Sequence, residues 1–173
     1  MKKLLLYFIL LISIFTIVGC GSKNEEVKKD NEEKEVDKSI VKVNDVELHI
    51  NKDKEFKGIK YTITDDLKEA IYDQYIQYNL YQDDGTNLLF FRIFYYEKKD
   101  HDYIRKDLAI DSNLEEVKGK NNYVEYSFID TKRKDGTMHF YIIDKDNISY
   151  VINFVSKNDI NDFEKVVLNS IKL

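Results

Sequence analysis

The chain has no proline and no tryptophan among its 173 residues, one cysteine, six glycines and three histidines. A single cysteine excludes an internal disulfide, a zinc site built of several thiolates and a paired redox centre. His49, His101 and His139 lie too far apart for the short ligand spacings of a metal site, so no metal and no cofactor is expected. Missing too are the Gly-x-Ser-x-Gly elbow, the phosphate loop, the His-Glu-x-x-His helix and a glycine-rich strand-to-helix turn; on motifs alone the protein is not an enzyme. Positive charge is in deficit: 27 Lys and Arg against 32 Asp and Glu give a formal net charge of -5, a sign that repels nucleic acid.

What is present begins with Lys2 and Lys3, followed by an apolar run from Leu4 to Val18 that only Ser13 and Thr16 interrupt. A spanning helix needs about 20 apolar residues, and this run stops short, at Gly19, Cys20, Gly21 and Ser22. A positive start and a short apolar core form a secretion signal. Ile17, Val18, Gly19 and Cys20 resemble the lipobox of bacterial lipoproteins. The resemblance implies cleavage between Gly19 and Cys20, with Cys20 receiving the lipid and becoming the first residue of the mature chain. Each buried lipid methylene contributes about 0.8 kcal/mol, so two or three acyl chains hold a protein on a membrane where one would exchange. Residues 1–19 are thus read as a lipoprotein signal peptide. Without Lys2 and Lys3 the formal charge falls to -7. Abundant Lys, Asn, Ile and Tyr beside absent Pro and Trp is the usage of an AT-rich coding sequence and points to a low-GC Gram-positive source. The expected location is the outer face of the cell membrane.

Residues 20–38 form the lipidated cysteine and a charged tether, in which Val27 and Val36 are too few to bury anything. Residues 39–173, with no repeat or linker, are expected to form a single globular domain.

Alternation of apolar residues sets the architecture. Val41 and Val43, a turn at Asn44 and Asp45, then Val46, Leu48 and Ile50 predict a short hairpin or a bulged strand. Ile59, Tyr61 and Ile63 predict a strand. Asp66 and Glu69 predict a capping box on a short helix through Leu67, Ala70 and Ile71. Ile76, Tyr78 and Leu80, a turn at Asp83 to Gly85, and Leu88 to Tyr96 predict another hairpin. The stretch from Leu88 to Tyr96 is apolar on both faces except at Arg92, the mark of a strand covered on both sides. Further strands are expected at Tyr123 to Ile129, at Met138 to Ile143 after a turn at Lys134 to Gly136, and at Ile148 to Val155. One helix should run from Asp100 to Leu108. A second should follow Ser156, whose hydroxyl can bond back to the amide of Asp159, with Ile160, Phe163, Val166, Val167 and Ile171 on its buried face. The fold class is α+β: a mainly antiparallel sheet of about six or seven strands covered by two or three helices.

That layout, above all the strand from Leu88 to Tyr96 leading into the Asp100 helix and the ending from Tyr150 to Lys172, resembles the Mog1p/PsbP-like sandwich. The resemblance implies binding more than catalysis and fixes no ligand.

Several residues invite a functional reading. Tyr75, Tyr78, Tyr81 and Tyr95 cluster in the middle of the chain and suggest a binding surface, because tyrosine suits surfaces both apolar and wet. Strand propensity accounts for the same tyrosines without a ligand. His101, flanked by Asp100 and Asp102, is the best acid-base candidate, against the alternative that these residues simply start a solvated helix. The oxygen-rich segments at Asp83 to Asn87 and Asp144 to Asn147 lack the order of an EF-hand and are read as turns, and Lys132, Arg133 and Lys134 as a solvated hairpin tip. The expected function is that of a lipid-anchored, extracytoplasmic, non-catalytic binding module for an envelope protein or small ligand. The alternative is a small envelope hydrolase using carboxylates or His101.

Overall fold

The computed structural model describes residues 40–133 and 136–173. The signal sequence, Cys20, the tether, and Lys134 and Asp135 at the hairpin tip lie outside the described residues. Among the described residues no helix is long and apolar enough to cross a membrane.

Two hairpins come first: β1 (Ile40–Val43) with β2 (Val46–His49), and β3 (Lys52–Phe56) with β4 (Ile59–Ile63). The first turns on Asn44 at φ 56°, the second on Lys57 and Gly58 at φ 51° and 94°. Two successive left-handed residues match the right-handed twist of the strands they join. The main sheet follows, built from β5 (Lys68–Ile71), β6 (Tyr75–Tyr81), β7 (Asn87–Tyr96), β8 (Val117–Lys120), β9 (Glu125–Arg133), β10 (Gly136–Lys145) and β11 (Ile148–Ser156). Its seven strands lie in the order β5-β6-β7-β11-β10-β9-β8, antiparallel throughout. Two helices complete the fold, α1 (His101–Asp107) between β7 and β8, and α2 (Asn161–Ser170) after β11. This is the α+β, mainly antiparallel architecture that the alternation predicts.

Residues two apart on a strand share a face, so the register divides the sheet into two sides. On the first, Phe91 of β7 and Phe154 of β11 meet Phe163 of α2, with ring centroids 5.3 to 6.2 Å apart. Val41, Leu48, Ile59, Tyr61 and Ile63 of the hairpins join this core with Val167 and Ile171. The end of the chain is strapped to β4, because Lys60 and Lys172 exchange backbone hydrogen bonds at 2.9 Å and Thr62 donates its N–H to the Ser170 hydroxyl. On the other side, Ile104 of α1 and Ile110 beyond it bury against Ile129, Phe140, Ile142 and Val151. β7 and β11 are therefore covered on both faces, as their composition requires.

Four expectations need correction. The segment from Lys68 to Ile71 is a strand, not a helix. Thr64 spends its hydroxyl in a turn with Asp66, Glu69 reaches Tyr78 and Lys54 instead of closing a capping box, and pairing with β6 supplies the backbone partners. Tertiary pairing here outweighs local helix signals. β3 and β8 were not anticipated, because their sequences, Lys-Asp-Lys-Glu-Phe and Val-Lys-Gly-Lys, bury few side chains and carry no apolar alternation. β9 begins at Glu125, since the Asn121 side chain accepts the N–H groups of Tyr123 and Val124 in a turn. Finally, Ser156 does not bond to Asp159: its hydroxyl accepts from the Asn158 amide and donates to the Leu88 carbonyl, and α2 starts after Ile160 without a side-chain cap.

Candidate functional site

Three polar arrangements stand out, one at His101, one at His139 and one at Arg92. The first centres on His101. Asp100 caps α1, its carboxylate accepting the Tyr103 N–H at 3.0 Å, and Asp102 lies in the first helical turn. Their roles are those of a helix start. His101 finds other carboxylates, from distant parts of the chain. Its Nδ1 lies 3.1 to 3.2 Å from the two oxygens of Glu116, and its Nε2 lies 3.1 to 3.3 Å from those of Asp144 on β10. Only 24%, 18% and 21% of the three side chains is exposed. Arg105, one turn along α1, donates to Glu116 at 3.2 Å, and Ser149 donates to Asp144 at 2.6 Å. Lys99 brings its ammonium to 3.5 Å from Asp144.

Burial opposes charge on both acids, but their partners outweigh it. His101 and Arg105 hold Glu116 below the ordinary carboxylate range. Ser149, His101 and Lys99 do the same for Asp144. Each nitrogen of the ring faces a carboxylate, so neither is open to a third partner. The arrangement is an ionic clamp that ties α1 and the following loop to β10. Its two carboxylates point at opposite edges of the ring and do not converge on a common point, and among the described residues no cluster is arranged to hold a metal ion.

The second arrangement joins the sheet to α2. His139 of β10 directs Nδ1 at Glu164, 2.9 Å from both carboxylate oxygens, while Asp130 of β9 stands 3.6 Å from Nε2. Glu164 is buried in the helix face, and its charge, after burial itself, pushes the Tyr141 hydroxyl up. This ring, too, is a link between layers. His49 is exposed on β2 beside Glu47.

The four tyrosines do not form one surface. Tyr78 is 0% exposed, its hydroxyl 2.7 Å from that of Tyr61 and donating to Glu69 at 2.9 Å. Burial raises both phenols, Tyr61 to about 12, so both stay protonated and donate. Tyr95 shares that face of the sheet, edge-on to Tyr150 with Lys57 over its ring. Tyr75 occupies the opposite face, stacked on Tyr72 at 4.4 Å and tilted against Phe94. Tyr81 lies beyond a register shift in β6, under the Lys68 ammonium. Tyr78 is thus a core residue and drops out of any contact surface.

The third arrangement is the one polar break seen in the sequence of β7. Arg92 projects to the α1 side of the sheet, donates from Nε to Gln77 at 2.6 Å, and lies 4.7 Å over the Phe90 ring and 5.7 Å from that of Tyr75. Among the described residues it forms no ion pair, whereas Arg105 is committed to Glu116. Beside Arg92 opens a cavity of about 380 Å³ walled by Phe94, Leu108, Ile110, Met138 and Phe140. Glu116, Asp144, Glu164 and Gln77 escape sequence reasoning because each meets its partner across 15 to 43 residues with no motif between them. Arg92 alone carried a signal.

No protein-family model matches the chain, and no curated protein sequence is similar to it. A crystal structure of a protein from Bacteroides thetaiotaomicron aligns with 66% of this chain and 44% of its own length, at 17% identity and a TM-score of 0.43. The likeness is too slight to carry an argument about fold or function, and the chain spans less than half of that protein.

Proposed function

We propose that this chain is a lipid-anchored extracytoplasmic protein of the cell envelope whose α+β domain is a non-catalytic binding module. The anchor rests on the lipobox-like Ile17, Val18, Gly19 and Cys20 after a short apolar run. The binding reading rests on one observation above all: both nitrogens of His101, the best acid-base candidate, face carboxylates that are already spent on it. A base needs a ring nitrogen open to a substrate proton, and here a carboxylate stands against each one. A layout of helices on both faces of an antiparallel sheet also suits a Mog1p/PsbP-like sandwich, whose resemblance implies binding.

A hydrolase is the second reading, favoured by the two carboxylates of Glu116 and Asp144 held at His101 beside a cavity of about 500 Å³ that Asp144, Lys99 and Lys118 help to line. Chromogenic ester, phosphate ester and glycoside substrates separate the two. The binding reading expects no turnover above buffer, and turnover that His101→Asn removes would establish the hydrolase. The anchor is tested by feeding cells an alkyne fatty acid: the wild-type chain should take up label and sediment with membranes, and Cys20→Ala should do neither. Unlabelled wild type would refute it.

A further inference from the structure

We infer that the cavity between α1 and the sheet binds a small monoanion with an apolar body, its carboxylate seated on Arg92; this deepens the binding-module reading and rests on it. The guanidinium stands on a sheet face near Phe90, Phe94 and Tyr75, with the neutral side chains of Gln77 and Asn153 directly across on the neighbouring strands, where a charge without a counter-ion is costly to keep. Its orientation is fixed before any ligand arrives, because Gln77 holds Nε and the Phe90 and Tyr75 rings lie under the plane. Among the described residues its terminal nitrogens donate to no acceptor. Two parallel donors held in one plane match a carboxylate in bidentate fashion, which an ammonium cannot do.

The walls set the rest of the ligand. Phe94, Leu108, Ile110, Met138 and Phe140 offer carbon surface, and about 380 Å³ falls in the range of small-molecule sites. The polar groups nearby are otherwise engaged: the Thr131 hydroxyl donates to the Met138 carbonyl and the Asn153 amide to that of His139. Arg92 is therefore the cation on offer. Asp111, which also lines the cavity, accepts the Asn113 amides with its carboxylate and would repel a second negative charge there. That limits the ligand to one charge, carried at the Arg92 end. The lysine-lined cavity near His101 is the weaker rival, since Lys99 is paired with Asp144 and Lys118 with Ser127, and the Glu125 carboxylate lines it across from Lys120.

The test uses the full-length protein in membranes and the photoreactive pair 4-benzoylbenzoate and 4-benzoylbenzamide, which share a shape and differ in charge. The carboxylate should label saturably at peptides carrying Phe94, Leu108 to Leu114 or Met138 to Phe140. Labelling should fall about tenfold with the amide and with Arg92→Gln, the loss expected when a charge-assisted pair disappears. Arg92→Lys should retain an intermediate level. Equal labelling by acid and amide, full labelling of Arg92→Gln, label confined to other peptides, or no saturable label would each overturn the site. Should Arg92→Gln melt without cooperativity, the acid and amide on the wild-type protein still decide. A protein partner captured at the cell surface alongside a failed probe would end this site and leave the binding-module reading standing.

Discussion

Replacing His101 with alanine removes the ring that bridges Glu116 and Asp144 and leaves two carboxylates, each about a fifth exposed, at the junction of α1 with the sheet. A hydrogen bond to a charged group contributes about 1.5–3 kcal/mol, and stripping one partner from a fully buried pair costs about 3–5 kcal/mol. Residual exposure, together with Arg105 and Lys99, softens the loss, so His101→Ala should destabilise the domain by roughly 2–4 kcal/mol at neutral pH. In a domain of this size that is a fall in Tm on the order of 10 °C. Both acids sit below their ordinary values when folded, so the clamp's stabilisation is fully present above the unfolded carboxylate range. It is lost as the pH falls through the lowered folded values, beneath the ordinary carboxylate range. Thermal melts followed by circular dichroism at a series of pH values should show a wide gap between wild type and variant at pH 7, narrowing steadily in acid. A variant indistinguishable from wild type at pH 7, or a gap unchanged in acid, would refute the ionic clamp.

Three further outcomes follow from other parts of the fold. Ala109 ends α1 at φ 52°, with its own N–H bonded to Lys106 and that of Ile110 to Arg105, so Ala109→Gly should relieve left-handed strain and raise stability by about 0.5–1 kcal/mol in urea titrations. Tyr78→Phe deletes the hydroxyl between Tyr61 and Glu69 and should cost about 1–2 kcal/mol, measured the same way, without altering uptake of the benzoylbenzoate label. Phe163→Ala empties the space between α2, Phe91 and Phe154 and should cost about 3–5 kcal/mol by denaturant unfolding, the largest single effect among these substitutions.

Much of this architecture is legible in the chain because burial on one or both faces writes itself as alternation. β7 and β11 announce themselves as doubly covered strands, and α2 as a helix with one apolar face. β3 and β8 are invisible for the converse reason: a hairpin strand and an edge strand bury few side chains, so charge and glycine are tolerated there. Lys68 to Ile71 misleads because a capping pattern is local, whereas the pull of β6 acts through hydrogen bonds to residues up to 11 positions away. The clamp fared the same way. Asp100 and Asp102 are next to His101 in sequence and serve the helix, while its real partners, Glu116 and Asp144, come from 15 and 43 residues on. Tyrosine clustering was no guide to a surface, because alternation sends Tyr75 and Tyr78 to opposite sides of one strand. Arg92 is a break that the sequence does mark, a lone charge inside an otherwise apolar strand.

The proposed anchor would decide where the domain works, and the mass of the mature amino terminus, measured on protein taken from the membrane fraction, addresses it most directly. The account predicts that the chain starts at Cys20 with a diacylglyceryl group on the sulfur. A chain that still begins at Met1 and carries a free thiol at Cys20 would contradict it.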